Sequence, residues 1–203
     1  MKAAPPDGAL DQRLSRRHGL IAGVDEVGRG ALAGPVTVAA VILDPARPIA
    51  GLDDSKRLAP RTRERLAEEI RARAVCWTIA HRSPAEIDRL NILEATRAAM
   101  TEAVRSLART PGLVVSDAVA LPGVAAAVLA ETHADARYLC VAAASILAKV
   151  ERDRAMVALA RRHPGYGWES NKGYPSPAHL AALRSLGASA QHRRSFAPVR
   201  VLA

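Results

Sequence analysis

The stretch Leu20-Ile21-Ala22-Gly23-Val24-Asp25-Glu26-Val27-Gly28-Arg29-Gly30-Ala31-Leu32-Ala33-Gly34-Pro35 joins three kinds of chemistry in sixteen residues. An apolar run, Leu20 to Val24, reads as a buried strand. Two adjacent carboxylates, Asp25 and Glu26, close it. Burying one carboxylate costs several kcal/mol unless it is paired or coordinated, and a second beside it adds repulsion. A divalent cation removes both penalties. Glycines on either side of Arg29 let the backbone approach a ligand closely, because glycine has no Cβ and accepts positive φ. The segment therefore offers metal ligands and a backbone cradle together.

Outward from this stretch, Pro35 to Leu43 is a second β-rich run, and the glycine-rich turn makes the pair hairpin-like. Pro60 to Ala74 carries Leu66 and Ile70 at helical spacing, and Val75 to His81 is a short strand. Ser83-Pro84-Ala85-Glu86 combines an N-cap serine, a proline at the first helical position and a capping-box glutamate, and a longer helix follows over 92–108. Leu113 to Ser116 is a strand ending on Asp117. Ala126 to Thr132 is a weaker strand that runs into Asp135. Tyr138 to Arg162 is a long helix whose first half is made of small residues suited to close packing on a sheet. Pro164 to Pro175 is a glycine- and aromatic-rich loop, Ser176-Pro177 opens a short helix ending near Gly187, and Gln191 to Ser195 is a basic tail. This order implies an α/β fold, a mixed sheet flanked by helices with a C-terminal helical appendage.

The chain has 203 residues, 49% hydrophobic and 24% charged, enough for one well-buried domain. Its formal net charge of +9 points to a polyanionic partner. Lysine occurs only at positions 2, 56, 149 and 172, so each lysine is more informative than any one of the many arginines. Cys76 and Cys140 have no metal-finger spacing and read as reduced core thiols of a cytoplasmic protein. Neither a signal peptide nor a membrane span is expected, because the first residues lack an apolar core and no later run is long enough.

Asp25 with Glu26, Asp117 and Asp135 all fall at or just beyond strand ends, where ligands collect in α/β sheets. Neighbours on a regular strand face opposite ways, so Asp25 and Glu26 serve one site only if the strand ends or bends there. Oxygen ligands without histidine or cysteine favour Mg2+ or Mn2+ over zinc. Read singly, Asp117 is equally a turn residue or helix cap, and Asp135 equally a solvated loop charge. Lys56, Lys149 and Lys172 are equally phosphate contacts or solvated charges. The six histidines show no ligand spacing and suit surface or capping roles.

In sequence the chain resembles the ribonuclease HII family over roughly residues 20–200. The resemblance rests on Gly23-Val24-Asp25-Glu26-Val27-Gly28-Arg29-Gly30, Leu32-Ala33-Gly34-Pro35, Asp54-Ser55-Lys56, Asn91-Ile92-Leu93 and the run Ala142 to Val150 with Arg152-Asp153. It continues through Lys172-Gly173-Tyr174-Pro175 and His192 to Pro198. It implies a ribonuclease H-like core over 19–162, a flexible N-terminal tail over 1–18 and a C-terminal helical substrate-binding region over 163–203. By the same resemblance Asp25, Glu26, Asp117 and Asp135 hold two divalent cations, Mg2+ or Mn2+. Gly28, Arg29 and Gly30 contact the ribonucleotide 2′-hydroxyl, Tyr174 lies near the following sugar, and Ser55, Lys56 and Lys149 bind substrate. The implied reaction cuts RNA–DNA hybrids, and duplex DNA 5′ of a single ribonucleotide, leaving a 3′-hydroxyl and a 5′-phosphate. A monomer acting on such duplexes is expected. The sequence departs from the family pattern at Ala118, commonly glycine, and His133, usually lysine. The alternatives are a non-catalytic hybrid-binding protein and a metal-dependent DNA resolvase on a related fold, the latter giving no reason for a 2′-hydroxyl sensor.

Overall fold

In the computed structural model, which describes residues 5–202, the elements run α1 (Ala9–His18), β1 (Ile21–Val27), β2 (Val36–Ile42), α2 (Pro60–Arg73), β3 (Cys76–Arg82), α3 (Pro84–Leu90) and α4 (Ile92–Arg105). They continue with β4 (Leu113–Asp117), β5 (Ala127–Glu131), a 3-10 turn (Ala134–Ala136), α5 (Leu139–Arg162), α6 (Trp168–Asn171), α7 (Pro177–Leu186) and α8 (Ala197–Leu202). The strands form one mixed sheet in the order β3-β2-β1-β4-β5. β1 and β2 are antiparallel, as the hairpin reading expects, whereas β1, β4 and β5 run parallel.

Side-chain alternation along β1 decides what each face meets. Ala22 and Val24 join Val38, Ala40, Ile42 and Val114 in a core with Ala99, Met100 and Ala103 of α4. On the other face lie α2 and α5, with Ala39, Val41, Leu66, Ile70, Ile146 and Leu147 in a second core. Helix α5 crosses β1 so closely that a Cβ on Gly23 would come within 2.1 Å of the Cys140 carbonyl carbon. Small residues on both elements make that approach possible, and they carry α5 past the end of β1 where the acids stand.

Three local expectations change. In place of a loose tail, residues 9–18 form α1. Leu10 and Leu14 pack on the core, and the Asp11 carboxylate accepts hydrogen bonds from Leu139 N (3.0 Å) and Cys140 N (3.0 Å). This carboxylate satisfies free N–H groups at the start of α5, a contact 128 residues away along the chain that no local pattern reveals. Residues 1–4 lie outside the described residues. The loop 164–175 contains α6. The stretch Gln191 to Ser195 is not a free basic tail, because His192 and Arg193 are buried against the β1–β2 turn.

His179 and His192 are likewise interior, and their hydrogen bonds specify both tautomers. Ser189 N donates to His192 Nδ1 (3.0 Å), so His192 carries its proton on Nε2 and donates to His179 Nε2 (3.2 Å). Trp168 Nε1 donates to that same His179 nitrogen (3.0 Å), which leaves His179 Nδ1 to donate to the Tyr174 carbonyl (2.9 Å). Both rings are therefore neutral, and a proton added to either breaks a bond.

Burial, then the neighbouring His179, pushes the His192 pKa down to about 4. The unfolded chain takes up this proton near pH 6.5, so the stability contributed by the neutral ring is complete above pH 6.5 and declines as pH falls towards about 4. In denaturant titrations the protein should lose stability relative to His192→Gln across that window. A difference between the two proteins that stays constant with pH would refute the neutral-pair assignment.

Candidate active site

β4 leaves β1 before β1 itself ends, and that places the acids. The parallel ladder stops at Val24 against Ser116, while β1 stays paired to β2 through Val27. Asp25 and Glu26 thus sit on a strand that continues, contrary to the expectation of a strand end, but beside an edge that β4 has vacated. Asp25 points to the α5 face. Glu26 lies on the opposite face at the same edge. Asp117, the last residue of β4, accepts from Ala134 N (3.1 Å), tying it to the 3-10 turn that carries Asp135. The structure brings all four sequence-derived acids to one end of the sheet.

Their electrostatics register the crowding. Asp25 is 5% exposed, and burial, then Glu26, raise its pKa well above the ordinary value; Asp135 and Asp117 add to the rise, while the Ser145 hydroxyl opposes it. Glu26 is raised by burial despite its hydrogen bond and ion pair with Arg29 (3.1 Å). Asp135 is raised by burial and then by Asp54, with Lys56 opposing. Glu26 Oε2 and Asp135 Oδ2 are buried oxygens without any hydrogen-bond partner. Among the described residues no three side chains are already closed into a metal-holding group. Buried carboxylate oxygens without a hydrogen-bond partner nevertheless fit hard divalent cations, whose charge would satisfy them.

The glycine-flanked turn adjoins this cluster. Arg29 pairs with Glu26, Leu32 N donates to the Gly173 carbonyl (2.7 Å), and a Cβ on Gly28 would lie 2.1 Å from Arg152 Nε. Gly28 has φ +94°, so it is required both for its conformation and for the space that Arg152 fills. Tyr174 follows Gly173, half-buried, with the Arg152 guanidinium 5.3 Å from its ring centre. The Glu26–Arg29 pair joins acids to turn, and the Leu32–Gly173 bond with Arg152 joins turn to Tyr174.

The ribonuclease HII family model matches residues 22–199, a span that contains every one of these features. The chain belongs to the ribonuclease HII family. It is 57% identical over 182 residues, 90% of this chain and 84% of the relative, to a ribonuclease HII of Methylibium petroleiphilum. It is 54% identical over 201 residues, 96% of this chain and 93% of the relative, to the ribonuclease HII of Paracoccus denitrificans. The crystal structure of ribonuclease H2 from Pyrococcus horikoshii superposes with a TM-score of 0.77 at 31% identity, covering 90% of this chain and 96% of that one. The fold is that of ribonuclease H, and the chain is a ribonuclease.

The other residues singled out in the sequence divide by position. Lys56 is exposed at the rim, with Nζ 3.6 Å from Asp135 Oδ2 and 4.0 Å from Asp54 Oδ1. Burial works to lower its pKa, but Asp135, then Asp54, outweigh this and the net shift is upward, so it is a cation facing the acids. Ser55 is 4% exposed, and its hydroxyl meets that of Ser145 (2.9 Å), fastening the loop to α5 rather than facing solvent. Lys149 is not brought to the acids. It pairs with Asp153 (2.8 Å) in a groove of about 660 Å³ lined also by Arg63, Arg154, Arg161 and Lys172.

Ala118 directly follows Asp117 with φ +55°, and His133 stands at φ +59° just before the 3-10 turn. A left-handed alanine carries about 1–2 kcal/mol of strain, which is the physical reason glycine suits the position after this aspartate. Sequence reasoning quoted Arg152, His192 and Arg193 among the family motifs and read 191–195 as a basic tail, but missed that these residues and His179 support the turn or Tyr174 from beneath.

Asp25→Asn keeps the shape and removes a buried, repelled charge. Without metal the variant should melt higher than the parent by about 2–4 °C, the shift that ~1 kcal/mol makes in a chain of this size. Added Mn2+ should stabilise the parent and not the variant. A lower melting temperature for metal-free Asp25→Asn, or equal stabilisation of both by Mn2+, would contradict the assignment.

Proposed function

We propose that this ribonuclease hydrolyses the RNA strand of RNA–DNA hybrids and cuts duplex DNA on the 5′ side of a single embedded ribonucleotide, leaving a 3′-hydroxyl and a 5′-phosphate. The observation that carries the reading is the adjacency of two features, a cluster of four acids with orphaned buried oxygens and a glycine-flanked turn at its edge. Asp25, Glu26, Asp117 and Asp135 would hold two divalent cations, Mg2+ or Mn2+. Such a pair, when bound, supplies an activated water and charge stabilisation at the leaving oxygen. No histidine base is then required, which agrees with the buried and engaged state of His179 and His192.

The protein's own residues do the rest. Gly28, Arg29 and Gly30 present backbone groups to the 2′-hydroxyl, which alone separates RNA from DNA at a given position. Arg29, held by Glu26, links that turn to the acids, which supports a sensed sugar next to the scissile phosphate. Tyr174 offers a half-buried ring to the next sugar. Lys56 faces the acids as a cation suited to a phosphate oxygen, and Lys149 and Lys172 line a basic groove beyond them. The groove and the net charge of +9 suit a duplex partner whose affinity falls with salt.

A duplex with one ribonucleotide should be cut once, immediately 5′ of it, and its all-DNA counterpart should survive. A 2′-O-methyl group at that position should reduce the rate sharply with every phosphate contact still available. Tyr174→Ala should lower the rate by about 10- to 100-fold while duplex affinity changes little, because its role is orientation. Comparable cutting of the all-DNA duplex would replace this reading by a general nuclease, and metal-independent binding without cleavage by a hybrid-binding protein.

A further inference from the structure

Arg193 is a buried cation with unusual company. It is 0% exposed, and its three hydrogen bonds all go to main-chain carbonyls: Nη1 to Arg29 O (2.9 Å), Nε to Gly34 O (3.1 Å) and Nη2 to Gly34 O (3.0 Å). Arg152 also has no exposure, and its bonds run to Pro35 O, Ala33 O and Lys172 O. The two guanidiniums therefore donate to the carbonyls of Arg29, Ala33, Gly34 and Pro35. Burying a guanidinium without a counter-ion is expensive, and the carbonyls that it satisfies offset part of that cost. Its rigid fork also fixes direction, because it sets the orientation of the peptide planes that it bonds.

The consequence falls on one peptide unit. In a planar trans peptide the C=O and the following N–H point opposite ways. With Arg29 C=O drawn inward to Arg193, the Gly30 N–H points away from the interior. Gly30 is exposed, a Cβ there would meet nothing within 4 Å, and its N–H has no acceptor among the described residues. We propose that Arg193 is a positioning residue for ribonucleotide discrimination, holding the Arg29–Gly30 peptide so that the Gly30 N–H stands free to donate to the 2′-oxygen. This rests on the reading of Gly28-Arg29-Gly30 as the 2′-hydroxyl sensor. It makes a residue near the C-terminus, outside the substrate surface, a determinant of the choice between RNA and DNA.

The test is a double-substitution cycle on single-turnover cleavage of a duplex with one ribonucleotide, Mn2+ held constant. One arm is Arg193→Lys, which keeps the charge but cannot span Arg29 O and Gly34 O. The other replaces Gly30 by glycolic acid, an ester that keeps the Arg29 carbonyl and deletes only the N–H. Each should slow cleavage by about 10- to 100-fold, the range expected for a misplaced orienting contact. Affinity for the all-DNA duplex should stay within about threefold, because phosphate contacts are untouched. The two changes together should slow cleavage little more than either alone, since both remove the same donor. Multiplying losses would make Arg193 a general support of the fold and overturn the proposal. If Arg193→Lys does not fold by circular dichroism, Arg193→Gln takes its place, and failure of both to fold would likewise overturn it. An unmodified enzyme that cuts the matching all-DNA duplex as fast would defeat the sensor reading itself. Discrimination in the parent that persists in the variant defeats only the role of Arg193.

Discussion

Mutual repulsion among carboxylates at one edge of the sheet is the constraint around which the molecule is arranged. Asp25 and Glu26 are consecutive on β1, and Asp117 ends the neighbouring parallel strand. Parallel pairing of β1 with β4 brings both strands' C-terminal ends to the same side, and the bond from Ala134 N to Asp117 draws Asp135 in as well. Burial first, and neighbouring carboxylates after it, raise the pKa values of Asp25, Glu26 and Asp135. Arg29 and Lys56 offset part of this from the rim. They leave two buried oxygens, Glu26 Oε2 and Asp135 Oδ2, without a hydrogen-bond partner.

The rest of the fold keeps that edge rigid while leaving it open. Close packing of α5 on Gly23 brings Ser145 beside Asp25, and Ser145 in turn holds the loop of Ser55 and Lys56. From the other side the C-terminal helices enclose the turn 28–35 through Leu32, Leu183 and Val199, with Arg152 and Arg193 bonded to its carbonyls. The chain from Ser189 through His192 and His179 to the Tyr174 carbonyl secures the opposite wall. Catalytic precision of this kind depends on supporting groups that never touch substrate.

Much of this was legible in the residues themselves. The apolar run before Asp25, the glycines around Arg29, the capping box at Ser83 and the small-residue half of α5 are local signals, and the elements form where those signals put them. What stayed hidden was long-range. Helix α1 depends on Asp11 capping an element far along the chain, and its own polar sequence shows little sign of packing. Arg193 and His192 lie in a basic stretch whose composition reads as surface, yet Arg193 is buried on carbonyls of a turn some 160 residues earlier and His192 among Tyr166, Trp168 and His179. Ser55 sits beside Lys56 in sequence but turns inward. The convergence of Asp135 was expected from the family resemblance more than from its own neighbourhood, because nothing near it signals a contact with Asp117.

Divalent cations would complete this cluster of acids. Mn2+ binding should then displace protons from carboxylates whose affinity for them the cluster has raised. Calorimetric titration of Mn2+ at mildly acid pH, in buffers of differing ionisation enthalpy, measures this directly. Binding should come with net proton release that shrinks as pH rises, and a chain carrying Asp25→Asn and Asp117→Asn should show neither binding nor release. Mn2+ binding that releases no protons at any pH, or that survives both substitutions, would contradict it.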